Sequence, residues 1–328
     1  MHPQTARTLI AGLASAGALV LAGLVLPGWL LFTATKALGT GLVALGLVAL
    51  MRGGLVSFGQ GLVYCLGAYT AGLLSTRAGV TDAALLLLAG GLLPLLAGLA
   101  VGPLIARYRG IFFAMLTVAL AMVLYGVLVK IPAIGGSDGF TLPEPSFLGW
   151  APATAREGDL ALYALAALTA AGAATAARVH FDSMPGLLAL AVRENELRVE
   201  YLGASAFAVT VRNFAIAAGL GGLGGTINAL ALGHVDPLFA FWTTSGEFVF
   251  IAVLAGHLSV AAAFVAALIL ELVRSYAGRY FPDTWQLILG TFLLVTVIFL
   301  PRGIGSLWAG RKPRAASARG ASEKAPAE

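Results

Sequence analysis

GEFVFIAVLAGHLSVAAAFVAALILELVR, Gly246 to Arg274, decides how this chain is threaded. Read as one helix, it would be about 43 Å long at about 1.5 Å per residue. That is long for a bilayer hydrocarbon core of about 30 Å. The stretch is also interrupted, at Gly256-His257-Leu258-Ser259. We therefore expect two short helices, which either cross twice or form a re-entrant pair. Broken helices are tolerated at membrane depth only where protein or a water-filled path receives the freed backbone groups, and they often mark a transport path.

The rest of the chain sets the context. Its 328 residues are 59% hydrophobic and 11% charged, where a soluble domain carries about 25% charged residues. Repeated apolar runs near the length of a span indicate an all-α, polytopic helical membrane bundle. The runs do not alternate, which argues against a transmembrane barrel. The 42 glycines suit helices that approach closely in lipid. The single cysteine, Cys65, excludes an intrachain disulfide. The apolar run after MHPQTART continues to Leu26 without a clear cleavage site, so it reads as a first span.

Spans are expected at 8–26, 34–51, 54–75, 82–106, 111–130, 157–178, 206–232, two within 246–274, and 284–300, about ten in all. Arg7, Arg52, Arg107 with Arg109, and the stretch from Arg178 to Arg212 fall on alternate turns of the thread. Placing them inside makes the N-terminus cytoplasmic and leaves the Pro- and Gly-rich loop from Ile131 to Glu157 outside, with Trp150 at the interface. The basic tail 311–328 reads as disordered and cytoplasmic, following a membrane domain of residues 1–310. Returning the tail to the cytoplasm requires an even number of crossings within 246–274. The net charge of +5 lies in loops and tail, which fits orientation in a membrane better than nucleic-acid binding.

One dense charged island stands out on the cytoplasmic side, AVRENELRVEYLG, Ala191 to Gly203. Asp182 or Ser183 can cap a helix with Pro185 in its first turn. In a continuous helix, Glu194 and Arg198 form an i,i+4 pair, while Arg193, Glu196 and Glu200 gather on a second face. Leu190, Leu197 and Tyr201 lie between the two faces. A helix held between the membrane domain and a polar partner has this pattern, and so does a solvated loop.

The ordered motifs resemble one family. AVRENELRVEYLG is similar to the cytoplasmic motif of permeases of branched-chain amino acid ABC transporters, LivM type, with matches at Arg193, Glu194, Asn195, Glu196, Arg198 and Gly203. GLVSFGQGLVYCLGAYTAGLL (54–74), RGIFFAMLTVALA (109–121), GGSDGF (135–140) and FPDTWQLILGTFLLVTVIFLPRGIGSLW (281–308) resemble further family segments, in family order. The 109–121 segment favours the LivM type over its LivH partner. The resemblance implies that 181–204 is the coupling segment that docks on an ATPase, and that the chain is the permease subunit of an ATP-driven importer. It further implies a LivH-like second permease, two ABC ATPase subunits and a periplasmic solute-binding protein as partners, all at the bacterial inner membrane. AGHLSVAAAF (255–264) departs from the family's Gly-rich run, with His257 replacing a small residue. The solute therefore stays open between branched-chain amino acids and another small polar solute such as urea.

No nucleotide site is encoded. GLGGLGG (219–225) lacks the lysine of a phosphate-binding loop and sits within an apolar run, so tight helix packing is expected. ATP and Mg would then be bound by partner chains. Ser57, Gln60 and Tyr64 share a helical neighbourhood by spacing. With Thr117 they are candidates to line a path, although hydrogen bonding to neighbouring helices is the simpler account of each. Asn228 is isolated. Glu247 and Glu271 lie near predicted span ends, where an interfacial position explains them. Gly135, Gly136, Asp138 and Gly139 form the outer loop motif. His234, Asp236 and His257 are too scattered for a metal site, and no catalytic constellation is present. A transport subunit rather than an enzyme is expected, with an ion-coupled secondary transporter as the competing class.

Overall fold

The computed structural model describes residues 3–256, 259–300 and 303–308. Its helices are α1 (Pro3–Val25), α2 (Gly28–Arg52), α3 (Gln60–Arg77), α4 (Ala83–Ile105), α5 (Gly110–Val129), α6 (Ala155–Asp182), α7 (Met184–Glu194), α8 (Glu196–Tyr201), α9 (Ala206–Leu232), α10 (Trp242–Ala255), α11 (Val260–Tyr280), α12 (Trp285–Phe299) and α13 (Gly305–Trp308). Two two-residue strands, β1 (Phe140–Thr141) and β2 (His234–Val235), pair antiparallel. The all-α expectation holds apart from this ribbon. It joins the 131–157 loop to the end of α9.

Six helices are long and apolar enough to cross a membrane: α2, α4, α5, α6, α9 and α11. α10 and α12 have 14 and 15 residues, about 21 and 22 Å at about 1.5 Å per residue. The protein is thus a multi-pass helical bundle that mixes full-length and short helices.

α9 is the axis of that bundle, because its glycine run lets three helices reach its backbone. A methyl group on Gly224 would overlap the Gly39 carbonyl of α2. One on Gly225 would overlap the Tyr64 carbonyl of α3, and one on Gly222 the Gly90 carbonyl of α4. The α4 contact has a further cause. Pro94, inside α4, has no N–H to donate to residue 90, so Gly222 lies against a freed carbonyl. Thr226 Oγ1, fully buried on α9, donates to Gly67 O of α3 at 3.1 Å. GLGGLGG is therefore a packing surface, as its place in an apolar run suggests.

The expected break in 246–274 is present, but only the first helix is short: α10 has 14 residues and α11 has 21, because α11 continues to Tyr280. Gly256 takes φ +72°, a left-handed value open to glycine, and ends α10. Residues 303–306 return to cover the break. Ile304 N–H donates to Leu254 O at 2.8 Å, and a methyl on Gly303 would meet the Gly256 nitrogen at 2.6 Å. Protein thus receives a carbonyl freed by the break. His257 and the tail 311–328 lie outside the described residues.

One boundary is corrected. The span read over 54–75 begins only at Gln60, because 54–59 is non-helical. Gly54 has φ +77°, and the Leu55 N–H turns back to Leu50 O at 3.1 Å. Leu55 then packs among Leu50, Ile105, Phe113 and Phe214.

Gly225→Ala should lower the thermal midpoint of the detergent-solubilised protein, with an overpacking cost of about 1–3 kcal/mol. Gly126→Ala, on α5 with open space around it, should leave the midpoint unchanged or slightly raised. Equal behaviour of the two variants in a melting scan would remove the packing role from Gly225.

Candidate functional site

Three arginines from distant parts of the chain converge on the segment 181–204. The guanidinium of Arg52, at the end of α2, lies over the Phe181 ring at 4.4 Å from its centroid. Arg212, in α9, donates from Nη2 to Pro185 O at 3.1 Å. Arg109 forms a bidentate pair with Glu196, Nη2 to Oε1 at 2.7 Å and Nε to Oε2 at 2.9 Å. The same guanidinium also donates to the Ala106 and Tyr108 carbonyls. It thereby fixes the α4–α5 turn to α8.

The segment is jointed rather than continuous. Pro185 lies in the first turn of α7 and Ser183 at its N-cap position, but Ser183 Oγ donates to His180 O rather than capping. At Asn195 the backbone becomes extended, φ −160° and ψ 101°. Its side-chain Oδ1 accepts from Arg198 N–H at 2.9 Å and starts α8. The single-helix reading of the charged island is therefore corrected. The joint lies between Glu194 and Arg198, so they do not share one i,i+4 ladder, and Glu196 turns to Arg109. Arg193 packs on Gly54, whose added methyl would lie 3.2 Å from its Cγ. Gly203, φ +83°, ends the segment with its N–H on Glu200 O at 2.9 Å.

Burial divides the segment into two sides. Ala189, Val192 and Val199 form a small core with Ala206 and Val209 of α9. Facing away, Glu194, Arg198 and Glu200 are exposed, and among them stand Leu197, Tyr201 and Leu202 at 66%, 89% and 81% exposure. Exposed large apolar side chains set among charges are characteristic of interaction sites.

The four candidate path residues are all buried, but they do different things. Ser57 is not on α3: it sits in the 54–59 segment, where its Oγ accepts from Gly59 N–H at 3.2 Å. Thr117 Oγ1 accepts from Phe58 N–H at 3.2 Å and donates to Ala114 O at 2.8 Å. These two tie the non-helical segment to itself and to α5. Ser245 of α10 joins the knot by accepting from Gly61 N–H at 2.9 Å. Gln60 and Tyr64 do share a face of α3. Gln60 Oε1 has no hydrogen-bond partner, and the Tyr64 ring packs on Phe239 and Phe248, with centroids 5.2 and 5.0 Å away.

In the outer loop motif, Gly135, Gly136 and Gly139 all have positive φ. Gly139 presses on the Val235 carbonyl, where a methyl would overlap it. Asp138 is exposed and accepts from Ser137 Oγ at 2.9 Å. The glycines shape the turn that seats β1 on β2.

The acids inside the bundle have partners that spacing did not indicate. Glu271 pairs with Lys36 of α2 at 3.4 Å, and Glu247 with Arg274 at 2.8 Å. Glu271 is buried at 6% exposure. Residues 36 and 271 are 235 positions apart, and nothing in a single sequence links them. Among the described residues no group of three or more His, Cys, Asp or Glu side chains could hold a metal ion.

A multi-pass bundle with an interrupted 246–274 stretch and an arginine-clamped charged platform at one end is the class of helical membrane protein that this fold defines. A family model described as the permease component of the branched-chain amino acid transport system matches residues 29–298. The chain belongs to this family, and it is a permease subunit of an ABC importer. It is 29% identical over 285 residues to the high-affinity branched-chain amino acid transport system permease protein LivM of Escherichia coli (strain K12), covering 80% of this chain and 67% of that protein. The LivM protein of Salmonella typhimurium (strain LT2) is similar to the same extent. No solved structure matches the chain.

The Arg109–Glu196 pair is part-exposed, so its worth is about 1 kcal/mol at most. Arg109→Glu or Glu196→Arg alone should open 181–204 to limited proteolysis, and the double exchange should restore protection. Equal cleavage of the single variants and the parent would show that the pair does not hold the segment.

Proposed function

We propose that this permease imports branched-chain amino acids across the bacterial inner membrane. Ten crossings put both termini in the cytoplasm. Residues 181–204 dock on an ABC ATPase, and ATP and Mg are bound there, in partner chains. A LivH-like second permease, two ATPase subunits and a periplasmic solute-binding protein complete the assembly. The binding protein delivers solute beside the 131–157 loop.

The observation that carries this reading is the two-sided platform. Its inner side is fixed to three parts of the bundle by Arg52, Arg109 and Arg212. Its outer side presents Leu197, Tyr201 and Leu202 between Glu194, Arg198 and Glu200. An arm with an apolar tip, clamped at several points, transmits a partner's displacement to whatever it is fixed to. Here Arg193 on Gly54 passes displacement to the non-helical 54–59 segment, which leads to the buried Gln60 and Tyr64. Rigid-body rocking of helices is the accepted repertoire for such a change.

The ten-crossing thread fits the antiparallel ends. Trp29 at the start of α2 meets Tyr276 near the end of α11, with centroids 6.3 Å apart. Arg274 lies over Trp285 at the start of α12, 5.2 Å from its centroid. These residues are at the end opposite Arg52 and Asp182. The short α10 and the full-length α11 then cross as a pair, and residue 304 returns to the inner side.

Leu202→Asp, or charge reversal at Glu194 or Arg198, should abolish co-purification with the ATPases while the protein still inserts. Undiminished co-purification would sink the docking assignment. In vesicles of the assembled transporter, uptake should require ATP, and a proton or sodium gradient alone should drive none. Gradient-driven uptake without ATP would place the chain in the ion-coupled class.

A further inference from the structure

Two ion pairs stand side by side in the half of the bundle remote from the platform. Lys36 of α2 pairs with Glu271 of α11 through a single contact of 3.4 Å, with side-chain exposures of 21% and 7%. Arg274 of α11 pairs with Glu247 of α10 through two contacts, of 2.8 and 3.2 Å, with exposures of 35% and 22%. The pairs are neighbours, since Glu271 and Arg274 stand three residues apart on α11.

Charged side chains on membrane-spanning helices are costly and tend to be functional; Lys36 and Glu271 lie on α2 and α11, both long and apolar enough to span. The polar surroundings of these four go beyond what holding helices together requires. Tyr64 is buried, with its ring on Phe239 and Phe248, and its hydroxyl lies beside the Asn228 carboxamide. Asn228 is fully buried, yet neither its amide nitrogen nor its oxygen has a hydrogen-bond partner of good geometry. It rests on Gly39, whose added methyl would lie 2.8 Å from its nitrogen, one helical turn beyond Lys36. A buried carboxamide left without good partners carries a real free-energy cost.

Resting on the importer reading, we propose that the Lys36–Glu271 pair, with Asn228 and Tyr64, is a transient binding station for the α-ammonium and α-carboxylate of a zwitterionic amino acid. The solute's carboxylate replaces Glu271 on Lys36, and its ammonium replaces Lys36 on Glu271. A solute with one charge would split the pair and leave one buried member without a partner. A zwitterion leaves none, because it brings both partners at once. A neutral solute such as urea has no charge to offer either member. The Lys36–Glu271 pair suits exchange better than its neighbour: it is held by one long contact, and an ammonium is a point charge without the fixed fork of a guanidinium. The bidentate Arg274–Glu247 pair holds α10 to α11 while the exchange takes place.

The test uses the complete transporter with its ATPases and binding protein in proteoliposomes, and radiolabelled leucine as the probe. Lys36→Met combined with Glu271→Met leaves no unpaired charge, and a merely structural buried pair can be replaced in this way with little loss. Assembly and ATP hydrolysis should persist while leucine uptake falls at least tenfold. Uptake at the parent rate overturns the proposal. Should the double variant not assemble, Lys36→Arg keeps the pair and decides. A shifted leucine concentration for half-maximal uptake, with assembly unchanged, supports the station, and an unchanged concentration overturns it. The importer reading fails separately, through loss of ATPase association by the parent chain.

Discussion

Backbone-to-backbone contact along α9 is the constraint on which the architecture depends. Lipid supplies no hydrophobic drive to press helices together, so close packing must do so. Gly222, Gly224 and Gly225 point to three different neighbours within one turn. α4, α3 and α2 are thereby set around α9 at distances that side chains would forbid. That placement brings Gln60 and Tyr64 of α3, Asn228 of α9 and Lys36 of α2 into one interior.

The two ends of the bundle are built on different principles. At the platform end, arginines reach a segment of two short helices and hold it by charge, cation–π contact and carbonyl hydrogen bonding. At the other end, aromatic contacts and a two-residue ribbon close the surface. Between them, the non-helical 54–59 segment touches the first through Arg193 and runs into the polar interior through Gln60. A short non-helical segment between two helices allows one to shift without bending the other.

Much of the fold was legible because it follows from local composition. Apolar runs gave nearly every helix, and α9 runs over 206–232 as read. Gly256 identified the break because a positive φ and a pause in the apolar run coincide there. The 54–59 segment was missed because its residues, Leu55, Val56 and Phe58, are as apolar as any helix. Only the paired glycines 53 and 54 hinted at a stop. The joint at Asn195 was missed for a similar reason: asparagine within a charged run is compatible with a helix until its side chain captures the Arg198 N–H. The site was less legible still. Arg109–Glu196 and Lys36–Glu271 join residues 87 and 235 positions apart, and spacing rules see only one helix at a time. The basic residues were placed on a common side by their distribution, but their convergence on one segment is a tertiary fact.

The cover over the α10 break has a bearing on biosynthesis. Leu254 O is received by the Ile304 N–H, and that residue follows it by fifty positions. While the chain emerges from the ribosome, α10 enters the bilayer before its partner has been made. For that interval the exposed carbonyl must be met by water, lipid headgroup or insertion machinery. The turn that follows α12 therefore completes a helix made well before it, and α10 is finished only after α11 and α12 have been synthesised.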